Sequence, residues 1–122
     1  MNDRFRFRCF DKDIQKFIVG FRLCDHYKWP NGIIEQCTGL KDKNGNLIYE
    51  GDIVIIPDDW EEYGFLAGEV REVYFEEGGF RLKPKKYRKC RGHWLEDTKD
   101  FEVIGNIHEN PELLESVTNC NQ

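Results

Sequence analysis

Long hydrophobic runs are missing from this chain. No apolar stretch approaches the ~20 residues that a membrane-spanning helix needs. The opening residues, MNDRFRFRCF, are too charged for the apolar stretch of a secretory signal. The expectation is a cytoplasmic protein with no membrane partner. Serine is nearly absent: Ser116 is the only one, and its place near the C-terminus is a poor one for a nucleophile. C-x₂-C pairs are lacking. The glycines at 39, 45 and 51 build neither a Walker loop nor a G-x-G-x-x-G turn, which argues against a phosphate cradle. The segment DKNGNL has the look of a calcium loop, but its glycine falls fourth and Ile53 stands twelfth from Asp42 where a chelating Glu belongs. Neither metal nor cofactor is expected.

What is present describes a small globular protein. A chain of 122 residues builds about one core, and a single domain over 1–116 with a loose tail at 117–122 is expected. Aromatics are abundant at 14%, which is enough large apolar area to stabilise a small core. The five cysteines (Cys9, Cys24, Cys37, Cys90, Cys120) are an odd number, and without an export signal they read as small hydrophobes rather than disulfides. The net charge is −5, yet residues 81–91, RLKPKKYRKCR, carry seven cations and no acid. A basic segment on an acidic body is the most informative charge feature of the chain.

Strand patterns dominate. RFRFRCF alternates, with Arg4, Arg6 and Arg8 on one face for solvent or a partner and Phe5, Phe7 and Cys9 on the other for the core. FIVGFRL reads as a second strand. Pro30-Asn31-Gly32 is a turn leading into a strand at Ile33–Cys37. Asn44-Gly45 signals a hairpin, and the β-branched run Ile53–Ile56 a central strand. A strand over 68–75 turns at Glu76–Gly79, and Phe80 and Leu82 return toward the core. DFEVIGNI is a closing strand in which Gly105 marks a bulge or tight bend. The only helix is the last element: Asn110 is a suitable N-cap, Pro111 suits the first position, and Leu113 and Leu114 can dock on the sheet. These signals imply a mainly β protein: a small SH3-like barrel or β-sandwich, barrel-like over 47–108, with an added N-terminal hairpin and one short C-terminal helix.

Three segments together resemble a known family. RFRFRCFDKD, TGLKDKNGNLIYEGDIV and FEVIGNIHENPELLE, in this order and spacing, are similar to the YopX proteins of bacteriophages and prophages. Cys9 and Phe10 depart from the small and Trp-like residues expected there, and His108 stands where Tyr is also usual. The resemblance implies a β-rich fold and a phage or prophage origin in a bacterial host. It implies no activity and supplies no catalytic residues.

Two residue sets remain as candidate sites. In the basic segment, Arg81, Lys83, Lys85, Lys86, Arg88, Lys89 and Arg91 interleave with Tyr87 and Trp94, a mixture able to neutralise phosphates and stack on bases. The plainer alternative pairs these cations with the acidic loop DDWEEY of the same molecule. Cys24-x-His26 and Cys90-x-x-His93 would together make a Cys₂His₂ zinc set; the plainer alternative is ordinary cysteines and surface histidines. Paired carboxylates for acid-base hydrolysis can be imagined among Asp58, Asp59, Glu61 and Glu62, but an acidic loop is more often a solvated loop. The expectation is a non-catalytic module for protein interaction or assembly, self-associating or binding a phage or host protein. Nucleic-acid binding through 81–91 is the alternative.

Overall fold

The computed structural model describes residues 5–57, 68–83 and 93–114, with His93 described through its backbone. Arg4, the acidic loop at 58–64, residues 84–92 and the tail at 117–122 lie outside the described residues. The protein is mainly β, built from curled antiparallel sheets that form a half-barrel, with one short C-terminal helix.

Among the described residues, nine strands form two sheets. The first has the order β2-β1-β3-β4, with β1 at Phe7–Asp11, β2 at Lys16–Phe17, β3 at Gly32–Lys41 and β4 at Leu47–Tyr49. The second has the order β8-β7-β6-β5-β9, with β5 at Asp52–Ile55, β6 at Val70–Glu76, β7 at Gly79–Leu82, β8 at His93–Trp94 and β9 at Glu102–Asn106. Every pairing is antiparallel. The long strand β3 serves two neighbours: its first half pairs with β1 and its second half with β4. Its register breaks between Cys37 and Lys41, where Gly39 adopts φ +84, a conformation that bends the strand and that glycine takes without strain.

The core follows from the apolar pattern. Ile48, Val54, Ile56, Val73, Leu82, Leu95 and Phe101 form one buried cluster, with Leu40, Phe80 and Val103 packed against it. Strand β5 is central, between β6 and β9, and both Ile53 and Val54 are fully buried, so its apolar run does not alternate. The β6–β7 hairpin turns on Glu77 and Gly78, both at positive φ, as a two-residue primed turn requires. The bulge expected at Gly105 is present: Ile53 pairs with Gly105 and Val54 with Val103, which leaves Ile104 extra.

Two local expectations need correction. The second strand ends at Phe17; at Gly20 the backbone turns to φ +71, and Leu23–Lys28 form a 3₁₀ segment instead. The Phe/Arg division of the first strand fails at both ends, for Phe5 is 72% exposed while Arg8 is drawn inward by buried carboxylates. Asn110 stands at the head of the helical residues 112–114: its carbonyl accepts the Leu113 N–H, and its Oδ1 accepts from the Asn106 N–H at the end of β9.

Candidate functional site

Four charged or titratable side chains from distant parts of the sequence meet where the two sheets join. Arg8 on β1 donates through Nε to Glu35 Oε1 at 2.8 Å and sits 2.9 Å from Asp52 Oδ1 through a terminal nitrogen. Its other terminal nitrogen donates to the Glu50 carbonyl at 3.2 Å. His108 Nε2 lies 2.9 Å from the second Glu35 oxygen. Asp52 also accepts from the Tyr49 N–H at 2.7 Å. Glu35 and Asp52 are almost wholly buried, with side chains 4% exposed. Burial raises the Asp52 carboxyl above its ordinary value, and the Arg8 guanidinium only partly offsets this. Such groups persist in an interior because each has an opposite charge or a donor.

Aromatic rings fix the geometry of this clasp. The Arg8 guanidinium lies 4.8 Å from the ring centroids of both Phe17 and Tyr49. The His108 ring stacks on Phe10 at 4.4 Å and meets Phe17 edge-on. Gly51 is required beside it, because a Cβ there would run into the Glu35 carboxylate.

A second joint lies at the turn after β3. Asp42 Oδ1 accepts the backbone N–H groups of Asn44 and Asn46, and Oδ2 accepts that of Val103 on β9. Burial alone would raise the Asp42 carboxyl, but these backbone donors together outweigh it and hold it below the ordinary value. Thr98 donates to the Lys41 carbonyl, and the Lys43 N–H to the Phe101 carbonyl, so the turn is stapled to the second sheet. This segment is a corner of the fold, with both Asp42 oxygens taken up by backbone donors.

Beside the clasp, an open cleft of about 770 Å³ lies between the first strand and the chain at 18–23. Its walls are Phe5, Phe7, Ile18, Phe21, Leu23 and Tyr49, and its cations are Arg6, Arg8 and Arg22. Arg8 is at once part of the clasp and part of the cleft lining.

The basic segment is only partly visible. Arg81 is buried, donates to the Glu76 carbonyl and covers one face of the Trp94 ring at 3.8 Å. Trp94 lies over Gly79, where any side chain would collide with its ring. Lys83 is 3.4 Å from Glu72. Arg81 and Lys83 are therefore engaged within the molecule. Lys85, Lys86, Tyr87, Arg88, Lys89 and Arg91 lie outside the described residues. Of the zinc candidates, Cys24 and His26 share the 3₁₀ segment and are exposed, while Cys90 and the His93 side chain lie outside the described residues. No group of three or more metal-ligating side chains occurs among the described residues. Cys9 and Cys37 are buried, and burial, followed by the neighbouring Asp11, raises the Cys9 thiol. No helix among the described residues is long and apolar enough to cross a membrane.

Sequence reasoning missed the clasp and the cleft. Its partners are separated by 27 and 73 residues, and the Arg/Phe alternation placed Arg8 in solvent. The usable signal was Gly51-Asp52 at the head of the central strand, an acid where the following residues are all apolar.

The chain is similar to known proteins in sequence and in fold. Residues 11–115 match the family described as YopX protein. The SPbeta prophage-derived uncharacterized protein YopX of Bacillus subtilis (strain 168) is 38% identical over 77 residues, which cover 60% of this chain and 54% of that protein. The chain thus spans about half the length of that curated relative. The crystal structure of protein EF1440 from Enterococcus faecalis superposes with a TM-score of 0.57 at 27% identity, over 89% of this chain and 96% of that one. The X-ray structure of yopX from Bacillus subtilis is 31% identical over 70% of this chain and 61% of its own, with a TM-score of 0.45. A match running from the end of the first strand to the C-terminal helix makes this chain a member of the YopX family.

Proposed function

We propose that the protein is a non-catalytic binding module whose working face is its N-terminal third and whose partner is another protein. One observation carries this reading. Of the eight large hydrophobic residues that stand exposed among the described residues, six come from residues 5–34: Phe5, Ile14, Val19, Leu23, Tyr27 and Ile34. Val19 is 99% exposed. Scattered apolar residues are ordinary on a soluble surface, but a concentration in one region is characteristic of interfaces. Aromatic side chains there are suited to anchor a partner.

The absence of catalysis is part of the proposal. What supports it is the state of the buried titratable cluster. The Glu35 and Asp52 carboxylates are paired with Arg8, and the His108 imidazole with Glu35, so these groups satisfy one another. Nucleic-acid binding through 81–91 has less support, since Arg81 and Lys83 are already engaged.

Photo-crosslinking in the bacterial host tests the reading. A crosslinking residue at Val19 or Tyr27 is expected to capture a discrete protein partner, and one at the exposed Glu76, at the end of β6, is not. Equal capture from both places, or none from either, overturns the proposal. Gel shifts with single- and double-stranded DNA over a salt series test the rival. Tight binding that weakens with salt would put nucleic acid in its place.

A further inference from the structure

We infer that Asn44 is a site of spontaneous covalent modification, converting through a cyclic imide to aspartate and isoaspartate, while the other Asn-Gly pair of the chain, Asn31-Gly32, is protected by the fold. The inference is independent of the binding reading. In the first step the Gly45 backbone nitrogen attacks the side-chain carbonyl carbon of Asn44. A new C–N bond forms and the Cγ–Nδ2 bond breaks. The side-chain nitrogen leaves as ammonia, taking the proton of the Gly45 amide. Water then opens the imide at one of its two carbonyls, which gives aspartate or isoaspartate. A glycine in second place favours the attack, because it has no side chain to obstruct the approach and its backbone moves freely.

The two pairs differ in what holds them. Both asparagines are exposed. Both glycine N–H groups are bonded, Gly45 to the Asp42 carbonyl at 3.0 Å and Gly32 to the Trp29 carbonyl at 2.9 Å, so backbone bonding does not separate them. The side chains do. Asn31 Nδ2 donates to both oxygens of Asp13, at 3.2 and 3.1 Å, which fixes its amide plane and its leaving nitrogen. The Asn44 side chain makes no hydrogen bond among the described residues. Space separates them too. Gly32 begins β3, pairs with Asp11, and is crowded by the Cys9 thiol and by Trp29. Around Gly45 there is nothing within 4 Å on the side a Cβ would occupy. An exposed turn with open space opens locally at a far lower cost than a strand inside a sheet.

The modification reaches the joint at Asp42. The Asp42 N–H donates to the Asn46 carbonyl at 2.9 Å, and the Asn46 N–H donates to Asp42 Oδ1 at 2.9 Å, so these two residues close the turn on itself. Isoaspartate at position 44 inserts one extra backbone atom inside that closed loop and strains both bonds. Either product also places a new negative charge beside a buried carboxylate. The same Asp42 side chain holds the Val103 amide of β9, so the change is carried from an exposed turn to the contact between the sheets.

Incubation of the full-length protein in mildly alkaline buffer at physiological temperature, sampled over weeks and mapped by peptide mass spectrometry, tests the inference. The mass change of an amide-to-acid exchange is expected to accumulate at Asn44 at least about tenfold faster than at Asn31. In concentrated urea, where neither pair is held, the two rates are expected to converge. Asp13→Ala releases the Asn31 amide and is expected to raise the rate at Asn31 while leaving Asn44 unchanged. The isoaspartate form, separated by chromatography, is expected to show faster hydrogen exchange at the Val103 amide. Asn44→Asp, which has the charge without the extra backbone atom, is expected to show a smaller rise. Equal rates at the two pairs in the native protein, or a faster rate at Asn31, overturns the inference. So does an unreacted Asn44 over the period in which the urea sample reacts. An unchanged Val103 amide in the isoaspartate form overturns the link to the joint.

Discussion

Asp42 and Asp52 are both buried carboxylates at joints between the same two sheets, and their acidities move in opposite directions. Asp42 gathers three backbone N–H donors from its own turn and from β9, and these hold it ionised. Asp52 has one backbone donor and a shared guanidinium, with a second carboxylate, Glu35, on the same Arg8. Burial therefore dominates at Asp52 and is overcome at Asp42. The lesson is that a carboxylate's comfort in an interior depends on the number of fixed donors aimed at it, more than on a nearby opposite charge.

The comparison can be broken most forcefully at Arg8. Arg8→Met leaves Glu35 and Asp52 buried without their cation, and should cost about 3–5 kcal/mol in urea unfolding. A cost below about 1 kcal/mol would show that the clasp contributes little. Asp42→Ala should follow at about 2–3 kcal/mol, because the Val103 amide loses its acceptor. Hydrogen exchange should rise at that amide in particular. Asp52→Asn should cost less than about 1 kcal/mol near neutral pH, since a neutral side chain avoids the desolvation that raises the Asp52 carboxyl. Lys43→Ala should be smallest, within about 0.5 kcal/mol, because its pair with Glu102 is exposed at both ends. If it matched Asp42→Ala, the strength of that corner would be ionic after all.

The pH dependence sharpens the same contrast. The lowered folded value of Asp42 means its contribution is present above the unfolded carboxylate value and is lost as pH falls through the folded one. Asp52 has the reverse sign: its raised folded value gives a contribution present below the unfolded value and lost as pH rises through the folded one. Unfolding midpoints measured across the acid range should therefore decline less steeply toward low pH in Asp42→Asn. The deficit of Asp52→Asn against the unsubstituted protein should shrink as pH rises.

Local signals were legible in the sequence where they depended on neighbours in the chain. The Asn44-Gly45 turn, the β6–β7 hairpin and the Gly105 bulge each follow from a few adjacent residues. The strand predicted over FIVGFRL failed because Gly20 turns the backbone there, and the Arg8 prediction failed because alternation reports a face and not what covers it. The cleft was invisible for the same reason as the clasp, since its lining joins Phe5 and Tyr49 through tertiary contact alone.

The two joints also bear on the order of folding. The Asp42–Val103 bond spans 61 residues and the Glu35–His108 contact 73, whereas β6 and β7 are linked by a two-residue turn. Hairpins close in roughly 1–10 μs, while distant contacts must first meet the entropy of a long loop. The joints should then form after the rate-limiting step. Their substitutions are expected to speed unfolding and leave the folding rate nearly unchanged, which makes these two small polar clusters the latches that set how long the native state lasts.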